Sequence, residues 1–323
     1  MMDWTDRYCR YFHRILSKNI WLYTEMVTDQ AIVHGNQERL LGFDPIEHPV
    51  ALQLGGSNPE TLGLASKAGK DFGYDEINLN VGCPSDRVQS GMFGLCLMKD
   101  PERVSDCMNA LAEFSQLPIS LKTRTGVDDL DSYDNLQNFI YKIKNQTPCR
   151  EFIIHARKGW LKGLSPKENR EIPPLDYARV YQLKQDFPDC SIQINGGINT
   201  LSEIDEHLKH TDGVMIGRAA YHNPYLLAEI EQKYFGTSGR GAINCAPTDW
   251  ALTDCAPTLD LPTREEIIQK LIPWIEQELS TGRKLHSITR HMLGLYYNQP
   301  NAKLFKRNLA SEQAWEYLKS IKI

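Results

Sequence analysis

The sequence predicts an α/β fold, a parallel sheet that closes into a TIM (β/α)8 barrel, followed by a small all-helical C-terminal domain. Short apolar strands alternate with helical segments over residues 1–236, and the strands stop at glycine or polar residues. This alternation is typical of a parallel sheet covered by helices on both faces. An open doubly wound sheet would carry Gly-x-Gly-x-x-Gly after an early strand, and that motif is not found there.

Seven strands can be recognised in the sequence, whereas a closed barrel has eight. They are expected near residues 21, 50, 76, 119, 151, 191 and 213. A helix capped by Thr5 or Asp6 and running to about Leu16 begins before any full strand has formed. We therefore predict that the first strand is truncated, with Met1 and Met2 as its remnant.

Helices are predicted between the strands. The segment from Pro59 to about Phe72 has a proline in its first turn, where proline is favoured. The other helices of the barrel are expected at residues 101–114, 133–144, 175–187, 201–208 and 224–235. The polar stretch between the first predicted strand and Val50 shows no clear pattern.

The composition changes after residue 236. Residues 237–262 are rich in glycine, proline and threonine, which indicates a linker or insertion. The sequence Thr263-Arg-Glu-Glu266 is a capping box that opens a helix, and further helices are expected near 286–297, 303–309 and 312–321. We predict a barrel domain over 1–236, a linker or insertion over 237–262 and a helical domain over 263–323.

Composition and charge place the chain among ordinary globular proteins. Hydrophobic residues make up 41% and charged residues 24%, no apolar run approaches the ~20 residues of a membrane span, and no secretion signal is recognisable. None of the eight cysteines forms a Cys-x-x-Cys pair, so no metal site is expected. We expect a cytoplasmic protein without membrane association. The net charge of −5 disfavours a wholly basic nucleic-acid-binding protein but allows local basic patches.

One cysteine stands out by its position. Apolar residues alternate with polar ones from Glu76 to Val81, as in a strand, and Pro84 then prevents further ladder pairing. Cys83 is therefore placed at the carboxyl end of a strand, where the active sites of barrels lie. A buried structural thiol is the alternative.

Polar or glycine residues end the other strands in the same way. Taken alone, each has a structural explanation, such as a core histidine or a surface lysine, but together these ends would converge on one mouth of a barrel. Exposed glycine N–H groups and a guanidinium after the last two strands are typical of a phosphate site. The strand ends are Gln53, Asn80 with Cys83, Lys122 with Arg124, His155, Asn195-Gly196-Gly197 and Gly217-Arg218.

These motifs together resemble those of the tRNA-dihydrouridine synthases, over a range from Met1 to about Gln313. The run Gly163-Leu-Ser-Pro-Lys-Glu-Asn-Arg-Glu-Ile-Pro-Pro174 is similar to the A-type subgroup in particular. The matching motifs are Asn80-Val-Gly-Cys-Pro84, Gly91-Met-Phe-Gly94, Lys122-Thr-Arg-Thr-Gly126, His155-Ala-Arg157, Asn195-Gly-Gly197 and Gly217-Arg218.

The resemblance implies an FMN-bearing barrel followed by a helical tRNA-binding domain. It also implies an enzyme that reduces uridine in the tRNA D-loop, at positions 20 and 20a, to 5,6-dihydrouridine. NADPH would re-reduce the flavin, Cys83 would be the proton donor, and a monomer without a protein partner is expected. The implied flavin contacts are Met1, Met2, Gln53, Lys122, His155, Asn195, Gly196, Gly197, Gly217 and Arg218. The implied tRNA contacts are Asn80, Lys167, Arg170, Lys303 and Lys306.

The chemistry of this reaction fits such a set of residues. Reduction of the uracil C5=C6 bond needs a hydride at C6, which a flavin supplies, and a proton at C5. A cysteine thiol is mostly protonated near neutral pH and can act as the acid. Two basic groups of residues could hold tRNA phosphates: Arg157, Lys158, Lys162, Lys167 and Arg170, and in the helical part Arg283, Lys284, Arg290, Lys303, Lys306 and Arg307.

Two other functions remain open from the sequence. An FMN barrel acting on a free pyrimidine or on dihydroorotate would share the phosphate site and an active-site loop, but it would not need the helical domain or the basic loop 157–170. A non-catalytic tRNA-binding protein would keep the basic residues and would bind no flavin.

Overall fold

The computed structural model describes residues 1–85, 91–236 and 261–323. Two compact units are formed, and each contains segments that are distant in sequence. The first comprises Met1–Asp3, Trp21–Ile198 and Ser202–Gly217. The second comprises Trp4–Ile20, Asn199–Leu201 and the described part of Arg218–Ile323.

The first unit is built on one parallel sheet. Its strands pair in the order β1-β3-β4-β5-β6-β7-β8, and β2 also pairs with β3. With helices between successive strands, this is the TIM barrel topology that the sequence predicts, and strands occur at all seven predicted positions. The strands are β1 (Leu22–Tyr23), β2 (Val27–Thr28), β3 (Val50–Gly55), β4 (Glu76–Asn80), β5 (Ile119–Arg124), β6 (Glu151–His155), β7 (Ser191–Asn195) and β8 (Gly213–Met215).

The strand predicted near residue 21 is interrupted. Leu22 of β1 pairs with Val50, and Val27 of β2 pairs with Leu54, so both short strands lie along the same edge of β3. Thr24, between them, donates its backbone N–H to the carbonyl of Ala51 at 3.0 Å. The edge therefore behaves as one strand with a break after residue 24.

The predicted remnant of a first strand takes a turn conformation instead of pairing in the sheet. Its position nevertheless lies near two strand ends. The sulfur of Met1 is 3.5 Å from the point that a Cβ on Gly217 would occupy, just beyond β8. The N–H of Asp3 donates to Glu25 Oε1 at 2.5 Å, beside the break after β1.

Most helices of the first unit lie where the sequence predicts them. Pro59–Phe72 begins with Asn58 as its cap and ends at Gly73, whose φ of +92° is left-handed. Helices Asp29–His34 and Gln37–Leu41 fall in the stretch for which the sequence shows no pattern. The remaining helices are Pro101–Ser115, Tyr133–Gln146 and Tyr177–Asp186, with short 3-10 turns at Pro45–Glu47, Gly94–Lys99 and Glu168–Arg170.

Close packing between helix and sheet depends on a glycine. A Cβ on Gly69 would lie 2.7 Å from Leu52 Cδ2 and 2.9 Å from Ile77 Cδ1. The bare backbone at Gly69 therefore lets the helix approach β3 and β4, whose apolar side chains are fully buried.

The second unit is helical. Asp6 caps the helix Arg7–Leu16 through the N–H groups of Tyr8 and Cys9, and Tyr11 of this helix stacks on Trp274 with ring centroids 3.8 Å apart. The other helices are Arg218–His222, Leu226–Ile230, Arg264–Ser280, Leu285–Thr289, Ala302–Leu309 and Ala314–Ser320, with a π-helical turn at Glu231–Phe235. Leu201–Leu208 begins at the last residue of the segment Asn199–Leu201 and continues in the first unit.

One helical prediction was too long. The segment predicted at 286–297 is helical only over Leu285–Thr289 and continues as turns. Gly294 lies in this turn region, and a Cβ there would be 2.4 Å from the carbonyl oxygen of His222. The need for close backbone approach explains a glycine at a point where it also weakens a helix.

The predicted domain boundaries stay a prediction, because the two compact units reflect packing and do not test which segments fold alone. The segment 237–262 lies outside the described residues except for its last two. Among the described helices, none combines the length and apolarity needed to cross a membrane.

The capping box at the start of Arg264–Ser280 gives a direct test of local stability. Thr263 Oγ1 accepts from the Glu266 N–H at 3.1 Å, and the Glu266 carboxylate accepts from the Thr263 N–H at 2.8 Å. We expect Thr263→Ala to lower the free energy of unfolding of this unit by about 1 kcal/mol, measured by urea unfolding with circular dichroism. Thr263→Ser keeps the oxygen and should retain most of that stability; an equal loss in both variants would contradict the role of the cap.

Candidate active site

The segment after β4, residues 81–85, is called the cysteine loop. Asn80 Oδ1 accepts the backbone N–H groups of Gly82 at 3.0 Å and of Cys83 at 2.9 Å. The Cys83 carbonyl accepts from the N–H of Leu95 at 2.9 Å. Cys83 itself is half-buried, with its sulfur 3.6 Å from Ser85 Oγ. The thiol is therefore held at the carboxyl end of β4 and remains partly accessible, whereas Cys9, Cys107, Cys149 and Cys190 are buried.

Arg124, at the end of β5, fixes the other side of the cysteine loop. Its side chain is buried, and Nε donates to the Gly82 carbonyl at 2.8 Å. Nη1 donates to the carbonyls of Lys158 at 3.1 Å and of Asn169 at 3.0 Å. One guanidinium thus joins the cysteine loop to the loop 157–174.

The loop 157–174 is organised around a buried amide. Asn169 Oδ1 accepts from the Trp160 N–H at 2.8 Å, and its Nδ2 donates to the carbonyls of Trp160 and Leu164. The loop is therefore ordered by internal hydrogen bonds as well as by Arg124. Two of its predicted tRNA-binding residues, Lys167 and Arg170, are exposed on its surface.

Lys122 connects three strand ends. Its Nζ donates to Asn195 Oδ1 at 3.2 Å, and Asn195 Nδ2 donates to the Met215 carbonyl at 2.7 Å. The pKa of Lys122 is lowered from 10.5 to about 8, chiefly by burial and in part by the charge of Arg124, whereas a thiolate at Cys83 acts to raise it. Lys122 and Cys83 are therefore close enough to sense each other's charge.

The same reasoning applies to Arg124. Its pKa is lowered to about 10, chiefly by burial and in part by the charges of Arg170 and Arg157, while Cys83 acts in the opposite direction. Lys122 forms no ion pair with a described residue, so no carboxylate among those residues neutralises its charge. A desolvated cation of this kind suits an anionic or electron-rich ligand.

The two glycines after β7 leave room where a side chain would collide. Gly196 has a φ of +120° and Gly197 of +73°, and a Cβ on Gly196 would lie 2.8 Å from the His155 ring. Tyr177 donates its hydroxyl to the Gly196 carbonyl at 2.8 Å. His155 thus lies beside a glycine turn whose backbone can approach a phosphate closely.

The remaining predicted residues fall into two groups. Gln53 and Asn80 hydrogen-bond each other at 2.9 Å beside the cysteine loop, and Met1 lies beside Gly217. Met2 is 57% exposed. In the second unit, Arg218 begins the helix Arg218–His222, and Lys303 and Lys306 are exposed on Ala302–Leu309.

Two basic residues that the sequence offered for phosphate binding are paired with carboxylates. Lys158 Nζ lies 2.6 Å from Asp131 and over the Trp160 ring. Arg290 lies 2.5 Å from Asp6, which also pairs with the buried His291. These contacts neutralise both cations, so they are weaker candidates for tRNA contacts than Lys167 or Lys303.

Arg124 is the residue of this site whose role sequence reasoning missed. The alternation Lys122-Thr-Arg124 showed that both cations share one face of a strand. The alternation could not show that Arg124 would donate to backbone carbonyls of two loops while Lys122 donates to Asn195 at the end of another strand.

Comparison with known proteins places almost the whole chain in one family. The family model for dihydrouridine synthase (Dus) matches residues 1–319. The chain belongs to the dihydrouridine synthase family.

Individual relatives are similar over almost the whole chain. This dihydrouridine synthase is 51% identical over 310 residues to the tRNA-dihydrouridine(20/20a) synthase of Vibrio vulnificus, covering 96% of this chain and 89% of the relative. It is 53% identical over 310 residues to that of Escherichia coli K12, covering 96% and 84%. It is 52% identical over 312 residues to that of Vibrio cholerae, covering 96% and 88%. The resemblance inferred from the motifs is confirmed.

The lowered pKa of Lys122 predicts a pH-dependent cost of folding. Below pH 8 the flavin-free folded protein must charge a desolvated amine, whereas the unfolded chain stays charged up to about pH 10.5. Lys122→Met removes this cost and should raise the free energy of unfolding by roughly 3 kcal/mol at pH 7, because folding lowers the pKa from 10.5 to about 8. The gain should shrink as pH rises from 8 to 10.5, because the cost of deprotonating the amine falls to zero as pH approaches the pKa of the unfolded chain. Urea unfolding across this range measures it, and a pH-independent difference would contradict the desolvation.

Proposed function

We propose that this dihydrouridine synthase reduces uridine in the D-loop of tRNA to 5,6-dihydrouridine at positions 20 and 20a, with FMN as cofactor and NADPH as reductant. The observation that carries the proposal is the half-buried thiol of Cys83 within electrostatic reach of the desolvated ammonium of Lys122. A proton donor and an anion-stabilising cation are what the protein must add to a flavin for this reduction. The relatives named above are tRNA enzymes, which supports tRNA over a free pyrimidine or dihydroorotate as substrate.

The residues at the mouth fit an FMN. An FMN held there would supply the hydride for uracil C6. Lys122, which forms no ion pair among the described residues, would hold electron-rich atoms of the flavin ring. The turn at Gly196 and Gly197 would receive the phosphate through its backbone N–H groups. A Cβ at either position would lie within 3 Å of a neighbouring side chain. The other residues assigned to the flavin are Met1, Met2, Gln53, His155, Asn195, Gly217 and Arg218.

Cys83 would complete the reduction by protonating uracil C5. The S–H bond breaks as the C5–H bond forms, and the proton added at C5 balances the hydride added at C6. The sulfur is left as a thiolate, which the charges of Lys122 and Arg124 stabilise in this desolvated setting. Solvent then returns a proton to the sulfur, since Cys83 is partly accessible.

The uridine must leave the folded tRNA to reach this mouth, which favours loop nucleotides over paired ones. We assign Asn80 to the base. Lys167 and Arg170 in the first unit, and Lys303 and Lys306 in the second, are assigned to phosphates, because all four side chains are exposed cations. A cytoplasmic monomer, with a barrel domain over 1–236 and a tRNA-binding domain over 263–323, is part of the same proposal.

Removal of the thiol tests the acid directly. Cys83→Ala should lower turnover on tRNA by roughly 100-fold or more, because a positioned general acid contributes at least that much. Bound FMN, measured by its visible absorbance, should be retained. Cys96→Ala is the matched control, since Cys96 is also half-buried and lies in the 3-10 turn Gly94–Lys99; it should keep parental turnover. Parental turnover in Cys83→Ala would refute the role.

Removal of two exposed cations tests the tRNA assignment. Lys303→Gln combined with Lys306→Gln should raise KM for tRNA roughly tenfold at ~0.1 M salt. The slope of log KM against log salt concentration should also become smaller by about two, because two phosphate contacts are lost. The control pair, Lys67→Gln and Lys209→Gln, removes cations that face Asp71 and Glu206. If both double variants change KM alike, net charge and not a specific contact is responsible.

A further inference from the structure

An unbroken chain of hydrogen bonds descends from the cysteine loop into the interior of the first unit. Asn80, which accepts the N–H groups of Gly82 and Cys83, donates its Nδ2 to Gln53 Oε1 at 2.9 Å. Gln53 Nε2 donates to Asn78 Oδ1 at 2.8 Å. The chain continues below Asn78 and ends on a carboxyl group.

The second half of this hydrogen-bond chain crosses from β4 to β5. Asn78 Nδ2 donates to Ser120 Oγ at 2.7 Å, and the Ser120 hydroxyl donates to Glu76 Oε1 in a short hydrogen bond. Tyr23 also donates to Glu76 Oε1, at 3.4 Å. Asn78 and Ser120 are fully buried, below the mouth. Gln53, Asn78 and Ser120 are register partners across β3, β4 and β5.

Every donor in this chain points in the same direction, from the cysteine loop toward Glu76. A side-chain amide donates only from its nitrogen and accepts only at its oxygen. If Asn78 turned over, its nitrogen would face the nitrogen of Gln53, and Gln53 and then Asn80 would have to turn as well. A turned Asn80 would present N–H donors to the N–H groups of Gly82 and Cys83, which the loop could not keep in place.

Glu76 is suited to anchor this direction. Burial raises the pKa of Glu76, and the nearby buried Glu151 raises it as well, whereas the hydrogen bonds from Ser120 and Tyr23 lower it. A carboxyl oxygen accepts a hydrogen bond whether the group is protonated or not. Ser120 therefore has an acceptor below it at neutral pH, and its own oxygen stays free to accept from Asn78.

We propose that Asn78 and Ser120 are positioning residues that act through Gln53 and Asn80 to hold the cysteine loop, and with it the Cys83 thiol, in one orientation. Neither residue reaches the mouth. Their expected effect on turnover rests on the proposed role of Cys83 as acid, but their effect on the accessibility of the thiol does not.

Two substitutions interrupt the chain at different points. Ser120→Ala removes one oxygen atom and leaves Asn78 without its acceptor. Asn78→Leu has a similar shape and removes both bonds of the amide. Ser120→Thr keeps the hydroxyl and is the rescue variant. Ser66→Ala is the matched control, because Ser66 is equally buried but donates to the backbone carbonyls of Gly63 and Leu111, away from the chain.

Two measurements on the full-length protein test the proposal. The first is the rate of alkylation of Cys83 by iodoacetamide, followed by peptide mass spectrometry, with Cys96 as the internal reference. The second is kcat and KM on tRNA. We expect Ser120→Ala and Asn78→Leu to change the Cys83 rate at least about threefold and leave the Cys96 rate unchanged, because only the cysteine loop is released. We expect kcat to fall about tenfold with KM for tRNA nearly constant, since misplacement of the acid affects the chemical step.

The controls separate this effect from a general loss of stability. Ser66→Ala and Ser120→Thr should retain the parental Cys83 rate and kcat. Parental values of both in a folded Ser120→Ala protein would overturn the proposal, and this variant decides alone if Asn78→Leu does not fold. If the parent protein does not reduce tRNA uridine, the proposed function fails, and the alkylation rates still decide whether Asn78 and Ser120 hold the loop.

Discussion

The site depends on one side-chain oxygen. After Val81, whose N–H still donates to the Lys122 carbonyl, the chain leaves the ladder, and the N–H groups of Gly82 and Cys83 lack the partners that a continued strand would give them. Buried or half-buried N–H groups need acceptors, and Asn80 Oδ1 accepts both. Arg124 then donates to the carbonyl of Gly82. With its backbone bound by side chains from β4 and β5, the cysteine loop can turn sharply and still present the thiol of Cys83.

The second feature of the site is its buried positive charge. Folding places Lys122 and Arg124 where water is largely excluded, and burial lowers the pKa of both groups. Such a cost in stability is typical of functional sites, where a ligand recovers it. The arrangement suits an enzyme of the dihydrouridine synthase family, because both an electron-rich flavin ring and a thiolate left by proton transfer would be stabilised by these cations.

Much of the framework could be predicted from the sequence. Apolar alternation located seven strands, and two of the predicted strand-end residues, Lys122 and Asn195, are joined by a hydrogen bond in the structure. Such prediction succeeds because parallel strands converge at their carboxyl ends whatever their exact register. The helices Asp29–His34 and Gln37–Leu41 were missed because each is only five or six residues long, too short to show a helical periodicity.

The parts that sequence could not supply depend on register and side-chain direction. The chain from Asn80 through Gln53 and Asn78 to Ser120 exists only because residues far apart in sequence are partners across β3, β4 and β5. In the sequence, Asn78 and Ser120 look like ordinary polar residues within strands. Likewise, nothing local distinguished Arg290, which pairs with Asp6, from Lys303, which is exposed.

The most direct test is to map dihydrouridine in tRNA from cells that lack this protein, and then to restore either the parent or the Cys83→Ala protein at matched levels. We expect dihydrouridine to be absent at positions 20 and 20a in the deleted cells, restored by the parent and still absent with Cys83→Ala. Unchanged dihydrouridine after deletion, or full restoration by Cys83→Ala, would contradict the assignment of uridine reduction to this thiol.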